Sequence, residues 1–236
     1  KTVNLDDYKP FNAINEIEFL AEKHRAIFIN EAHHIPQHRA FTHQLLQKLY
    51  DKGFRYFAAE TLMPDDTGII KQKERMLSYI NEPEYADLIR TAVKIGYKII
   101  PYEQENPKMV TLSDSQEAQR QSIINRETAQ AKNLKERVFD IDKNAKVLVH
   151  AGYDHIMEKE HFGLDMMAKC FKDLTGIDPL TIDQVGLMEK GDFKLSDPNY
   201  QHIINEINPK EYIVLKNNKN EYWTKENKKE KVDIQL

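Results

Sequence analysis

Residues 26–61 read AIFINEAHHIPQHRAFTHQLLQKLYDKGFRYFAAET, and the periodicities in this stretch decide the fold. Ala26 to Ile29 is a short continuous apolar run, the pattern of a strand buried on both faces. Pro36 then opens a helix at the one position where its missing N–H costs nothing. Phe41, Leu45 and Leu49 recur at i, i+4, i+8, which puts them on one helical face, and Gly53 closes the helix. Phe54 to Ala59 is a second apolar run of strand length. A strand, a crossover helix and a second buried strand form the repeating unit of a parallel sheet.

The same alternation extends in both directions. Ile14, Ile17, Phe19 and Leu20 make a helical face upstream. Downstream, a helix through Tyr85, Leu88, Ile89, Ala92 and Val93 stops at Gly96, and Tyr97–Tyr102 reads as a third strand. Asp114 with Glu117 resembles a capping box for a long helix running to about Val138. Lys146–Val149 is a fourth strand, a helix covers Met166 to Leu174, and PLTIDQV and Tyr212–Leu215 supply two more strands. The expectation is a single α/β domain over residues 1–236, with a mainly parallel central sheet flanked by helices. Residues 61–83 are polar and poorly periodic, and are expected to form a lid or small helical insertion. Residues 216–236 interleave lysine with Glu and Asn, as in a solvated hairpin and tail.

Composition removes several chemistries. The formal charge of −4 gives no general attraction to nucleic acid or anionic lipid, and no apolar run approaches the ~20 residues of a membrane-spanning helix. A single cysteine, Cys170, excludes an intrachain disulfide framework, and its place in MMAKCFKDL reads as a small buried hydrophobe. There is no G-x-G-x-x-G, no phosphate-binding G-x-x-x-x-G-K-[ST] and no serine in a G-x-S-x-G elbow. The chain opens with Lys1 rather than Met, which reads as a removed export signal or a trimmed terminus; the first would place the protein in the periplasm or cell envelope.

In parallel α/β sheets, binding and catalysis gather beyond the carboxyl ends of the strands. Those positions here read Asn30-Glu31-Ala32-His33-His34, Glu60-Thr61, Tyr102-Glu103, His150-Ala151-Gly152-Tyr153-Asp154-His155 and Asp183-Gln184. Glu and His from separate strands can orient a water and take its proton, or hold a divalent metal that acidifies it. Without a metal, several carboxylates in one pocket repel, so one should be protonated or paired with a base such as Arg126. Pro36 lies between His34 and His38 and argues against a metal pair on one helical face, while His24, His43, His161 and His202 read as structural or surface residues.

N-E-A-H-H-I-P-Q-H-R, the helix after it and F-R-Y-F-A-A-E-T together resemble the superfamily of erythromycin esterases, ChaN-like haem-binding proteins and Tiki metalloproteases. N-R-E-T-A-Q-A-K-N (residues 125–133) is similar to the arginine-bearing helix of the esterase branch, and K-V-L-V-H-A-G-Y-D-H-I to its later histidine-bearing strand. The resemblance implies catalytic roles for Glu31, Glu60, His155 and one of His33 or His34, depending on E-x-H or E-x-x-H spacing. Asn30 stands where that family has glycine, a change that asparagine's tolerance of left-handed backbone would allow. Gln130 stands in place of Met, and the chain is too short for the esterases' helical additions, so macrolide hydrolysis is not expected.

Two functions follow from the resemblance and the residues together. One is hydrolysis of an ester or amide in a small molecule or peptide, with His33 or His34 as base, Glu31 and Glu60 orienting, and His155 as an electrostatic or proton-donating partner. Tyr102, Glu103, Arg126, His150 and Tyr153 would then contact substrate, and Glu31, His33, Glu60 and His155 would hold Mn²⁺ or Zn²⁺ if a metal is required. The other is haem or metal binding for uptake, with Tyr102 or Tyr153 as the axial haem ligand. A member of the fold whose Arg–Glu pairs only stabilise the cleft is the third reading.

Overall fold

The computed structural model describes residues 2–62 and 82–236. Six strands form one wholly parallel sheet in the order β4-β3-β5-β2-β6-β8. They are β2 (Ala26–Glu31), β3 (Tyr56–Ala59), β4 (Lys98–Pro101), β5 (Val147–Gly152), β6 (Leu180–Asp183) and β8 (Ile234–Gln235). Helices α1 (Ala13–Leu20), α2 (Pro36–Asp51) and α3 (Pro83–Ile95) cover one face, and α4 (Gln116–Leu134) and α5 (Met167–Thr175) the other. The α/β class and the parallel sheet are therefore as the alternation of the sequence implies.

Strand alternation assigns each side chain to a face. Ile27 and Ile29 of β2 pack with Phe41, Leu45 and Leu49 of α2, while Phe28 packs with Phe171 of α5. Fully burying such side chains contributes roughly 1.5–3 kcal/mol each, which makes the register of β2 hard to shift. The same parity sends Glu31 and His150 toward the α2/α3 face and Glu60 toward the α4/α5 face. β2 and β5 lie side by side, yet the helix after β2 covers one face and the helix after β5 the other. This is a topological switch point, where a crevice opens beyond the carboxyl ends. Glu31 and Gly152 are register partners at that edge.

Four features depart from expectation. Tyr212–Leu215 forms part of β7 (Ile213–Asn217), which pairs antiparallel with β1 (Tyr8–Asn12) in a separate two-stranded sheet. The lysine-rich segment does turn back after β7, but its end is not solvated: Ile234 and Gln235 are buried as the sheet's edge strand β8. Helix α6 (Pro198–Ile207) lies in a stretch where no helix is expected, and is opened by an Asp197 cap and Pro198. The cap of α4 is Ser115, which accepts from the Ala118 N–H, while Asp114 accepts from Thr111 in the preceding turn. The segment expected to form a lid lies outside the described residues apart from its ends.

Candidate functional site

Two carboxylate–imidazole assemblies meet at the switch point. The first is built on Glu31, buried at the end of β2. Arg39 of α2 clamps it with two bonds, Nε to Oε2 at 2.7 Å and Nη2 to Oε1 at 2.8 Å. His150 Nε2 lies 2.8 Å from Oε2, and His33 Nδ1 lies 2.7 Å from Oε1. Burial works against ionisation of Glu31, but His150, His33 and Arg39 outweigh it and hold the carboxyl well below the usual range. Arg39 is itself fully buried and also bonds Glu82 and the His33 carbonyl.

The tight turn after β2 separates the two candidate histidines. Ile35 N–H donates to the Ala32 carbonyl, and His38 Nδ1 accepts from Ala32 N–H at 2.9 Å. This turn points His33 at Glu31 and leaves His34 exposed, with Nδ1 3.5 Å from the Tyr153 hydroxyl. His38 is spent on the turn, and burial lowers it to about 4, so it is neutral. His34 and His38 therefore do not form a ligand pair.

The second assembly lies on the α4/α5 side. Glu60 follows β3 and accepts from Arg126 Nη2 at 2.6 Å and from the Gly152 N–H at 2.5 Å. Arg126 also bonds Glu103 at 2.8 Å, so one guanidinium serves two carboxylates. His155 Nδ1 lies 2.7 Å from Glu127 on α4, and its Nε2 lies 3.0 Å from Arg126 Nη1 and 3.5 Å from Glu60. Burial opposes the imidazolium, but Glu127 and Glu60 outweigh it and push His155 up to about 9. When the ring is neutral, Arg126 supplies a donor to Nε2; when it is charged, Glu60 supplies an acceptor. Both protonation states thus have a partner, which suits a group that gives and regains a proton.

Gly152 is the seam between the assemblies. A Cβ there would fall 2.5 Å from His33 Cε1, 2.7 Å from His33 Nε2 and 2.8 Å from Glu60 Oε2. His33 and Glu60 therefore face one another across a residue that has no side chain. The residues following Glu60 and Gly152, Thr61 and Tyr153, are both left-handed, at φ 69° and 46°. Such conformations cost non-glycine residues roughly 1–2 kcal/mol and gather where a site over-determines them. Asn30 Nδ2 holds the Tyr153 carbonyl at 2.8 Å and Asp183 at 2.7 Å. Asn30 itself is extended, within β2, so its place is explained by these bonds and not by left-handed backbone.

Of the expected site residues, Glu31, His33, Glu60, Glu103, Arg126, His150 and His155 are brought into these assemblies. Tyr102 is not: it is fully buried, with its hydroxyl donating to the His150 carbonyl at 2.9 Å, and cannot reach a ligand in the cleft. His150 is likewise buried, with Nε2 directed at Glu31. Tyr153 lies at the rim, 38% exposed, its ring edge-on to His33. Asp183 and Gln184 are absorbed in a buried lattice with Asn30, Gln235 and the His38 carbonyl. Arg39 and Glu127 escape sequence reading. Their signals were an arginine three residues into α2 beyond Pro36, and a glutamate next to Arg126.

A divalent cation does not fit this donor set. Among the described residues no group of three or more His, Cys, Asp or Glu side chains is disposed to hold one. The physical reason is that Arg39 and Arg126 stand where a cation would, and occupy the oxygens of Glu31, Glu60 and Glu103.

The fold and site together define an α/β protein with an acid–base cleft at the carboxyl rim of a parallel sheet. No family model matches the chain, and no curated protein does. Solved structures match it in fold. ChaN of Campylobacter jejuni, described for cofacial haem binding, superposes with a TM-score of 0.52 at 12% identity, over 84% of this chain and 97% of that one. The type III effector HopBA1 gives 0.50 at 11% identity, over 79% and 93%. The C-terminal region of Pasteurella multocida toxin, described as holding a thiol-protease-like triad, gives 0.52 at 11% identity over 74% of this chain and 25% of that one.

Proposed function

We propose that the protein is a hydrolase that opens an ester or amide by activating water between two carboxylate-braced histidines, with no resident divalent cation. The observation that carries this reading is the approach of His33 and Glu60 across Gly152, with the His155–Glu127 pair and Arg126 behind Glu60. In the tautomer whose Nδ1–H donates to Glu31, the lone pair of the His33 ring is on Nε2, the nitrogen on the Gly152 side. A water there loses a proton to Nε2 as its oxygen bonds the substrate carbonyl carbon. Arg126 stabilises the developing oxyanion, and His155 Nε2–H protonates the leaving oxygen or nitrogen as its bond to carbon breaks. Exchange with solvent restores both rings.

A thiol mechanism is disfavoured by the residues. Burial pushes the Cys170 thiol up, and its sulfur donates to the Asp165 carbonyl, the opposite of an activated nucleophile. Screening ester and amide substrates tests the proposal: turnover lost in both His33→Ala and Glu60→Gln supports it, and turnover unchanged in either contradicts it.

One observation favours a second reading, haem binding. Tyr153 carries a rim-exposed phenol next to His34, and the likeness in fold to ChaN is consistent with a ligand there. A Soret band on adding haemin that disappears in Tyr153→Phe would support it, and the absence of such a band would remove it.

A further inference from the structure

The turn that aims His33 at Glu31 also aims Ile35 the other way, into a groove along the same rim of the sheet. The groove begins beside Ile35, His38 and Gln184, in a cavity of about 550 Å³. Beside it lies a second, mainly apolar cavity of about 350 Å³ lined by Ile203, Ile204, Leu215 and Trp223. Leu187, Tyr200, Tyr212 and Leu236 line both, so the two cavities adjoin. These volumes and this lining are those of a small-molecule site.

Position ties the groove to the cleft. The sheet runs β5-β2-β6-β8 at this end, all strands parallel, so the carboxyl ends of all four lie on one rim. Gly152 closes β5, Gln184 follows β6, and Gln235 and Leu236 close β8. At ~4.8 Å per strand, three steps make roughly 14 Å, the reach of an extended chain of about ten to twelve carbons.

We propose that this groove is the subsite for an unbranched acyl or alkyl chain, so that the substrate is a lipid-like ester or amide with its scissile carbonyl at Gly152. The assignment of a scissile bond rests on the hydrolytic reading above; the chain-binding groove does not. The stretch of wall made by Ile203, Ile204, Leu215 and Trp223 favours an aliphatic chain over a polar peptide or sugar, while Lys210 and Glu211 supply the charged part of the same lining. Gln184, which follows β6 on the same rim as Gly152, marks the end of the groove at which the carbonyl head would sit.

Trp223 is the only tryptophan in the chain and lines the far cavity, which gives a binding readout that needs no turnover. Titration with 1-decanol should produce a saturable change in Trp223 emission, and butanol should not. Ile204→Glu and, separately, Met188→Glu should each weaken the decanol response at least about tenfold while the far-UV dichroism and melting of the protein stay unchanged. Met188 lies on the loop after β6, so this variant does not depend on core repacking. In the second arm, kcat/KM for p-nitrophenyl decanoate should exceed that for the acetate at least about tenfold, and Met188→Glu should remove most of that difference by lowering the decanoate value. No saturable response to decanol, or a response untouched by both folded variants, overturns the groove. Saturable binding with no ester cleaved upholds the groove and overturns the hydrolytic reading instead.

Discussion

Arg39 grips Glu31 with both forks of its guanidinium, at 2.7 and 2.8 Å, and the pair is buried almost entirely. This fixes the carboxylate as an anion with both oxygens directed, one toward His33 and the other toward His150. Breaking a buried pair by removing one partner strands the other charge, at a cost of about 3–5 kcal/mol. Arg39→Met should therefore lower the free energy of unfolding in urea by that amount, through a lower midpoint at an unchanged m-value. A free energy of unfolding within about 1 kcal/mol of the parent, on the order of an exposed pair, would contradict the burial of the clamp.

Gly152 is required for space and not for backbone freedom, since its φ of −84° suits any residue. Gly152→Ala should keep the fold at a cost of about 1–3 kcal/mol, while pushing His33 and Glu60 apart. Turnover should fall far more than stability does. An alanine variant with parental activity would show that the two groups do not act together.

His155 predicts an alkaline limb. Its pKa is raised to about 9 in the folded state, above the 6.5 of the free side chain, so its contribution to stability is complete below 6.5 and is lost as pH rises through 9. As the proton donor it should make kcat fall above about pH 9. His155→Gln should remove that limb along with most of the rate. A limb of the same position in the variant would assign it to another group.

Glu158 and Asp233 meet at Thr181, below the sheet's carboxyl rim. Glu158 accepts from the Thr181 hydroxyl at 2.7 Å, and Asp233 accepts from its backbone N–H at 2.8 Å. Burial, reinforced by Asp233, raises Glu158 from 4.5 to about 7. The folded state then holds a proton that the unfolded chain releases, so stability falls as pH rises from 4.5 through 7. Glu158→Gln should stabilise the protein by ~2 kcal/mol at pH 8 and change little at pH 4.5, as read by thermal melts at the two pH values. A variant less stable than its parent at pH 8 would reverse the sign and refute the account.

Strong local periodicity made β2, α2 and β3 readable, because both faces of β2 are buried and Pro36 and Gly53 punctuate the helix. The strand-end rule then led to Glu31, Glu60 and His155 as neighbours. What the sequence could not convey was parity and partnership. That His33 and not His34 turns inward depends on the Ala32–Ile35 turn and on His38 bonding it. That Tyr102 lies under the cleft follows from a hydroxyl that spans to β5. Edge strand β8 is two residues long in a lysine-rich stretch, too short to carry a periodic signal, and it is held by neighbours far away in sequence.

In the proposed reaction a histidine braced by Glu31 activates water without a divalent cation. Its most direct test is hydrolysis of p-nitrophenyl decanoate by protein stripped with EDTA, comparing the parent with His33→Ala and His34→Ala. The account predicts that stripped parent and His34→Ala keep their rate, while His33→Ala loses at least about a hundredfold, as general-base removal does. Loss of activity on stripping that added Mn²⁺ or Zn²⁺ restores, or a His33→Ala protein as fast as its parent, would contradict it.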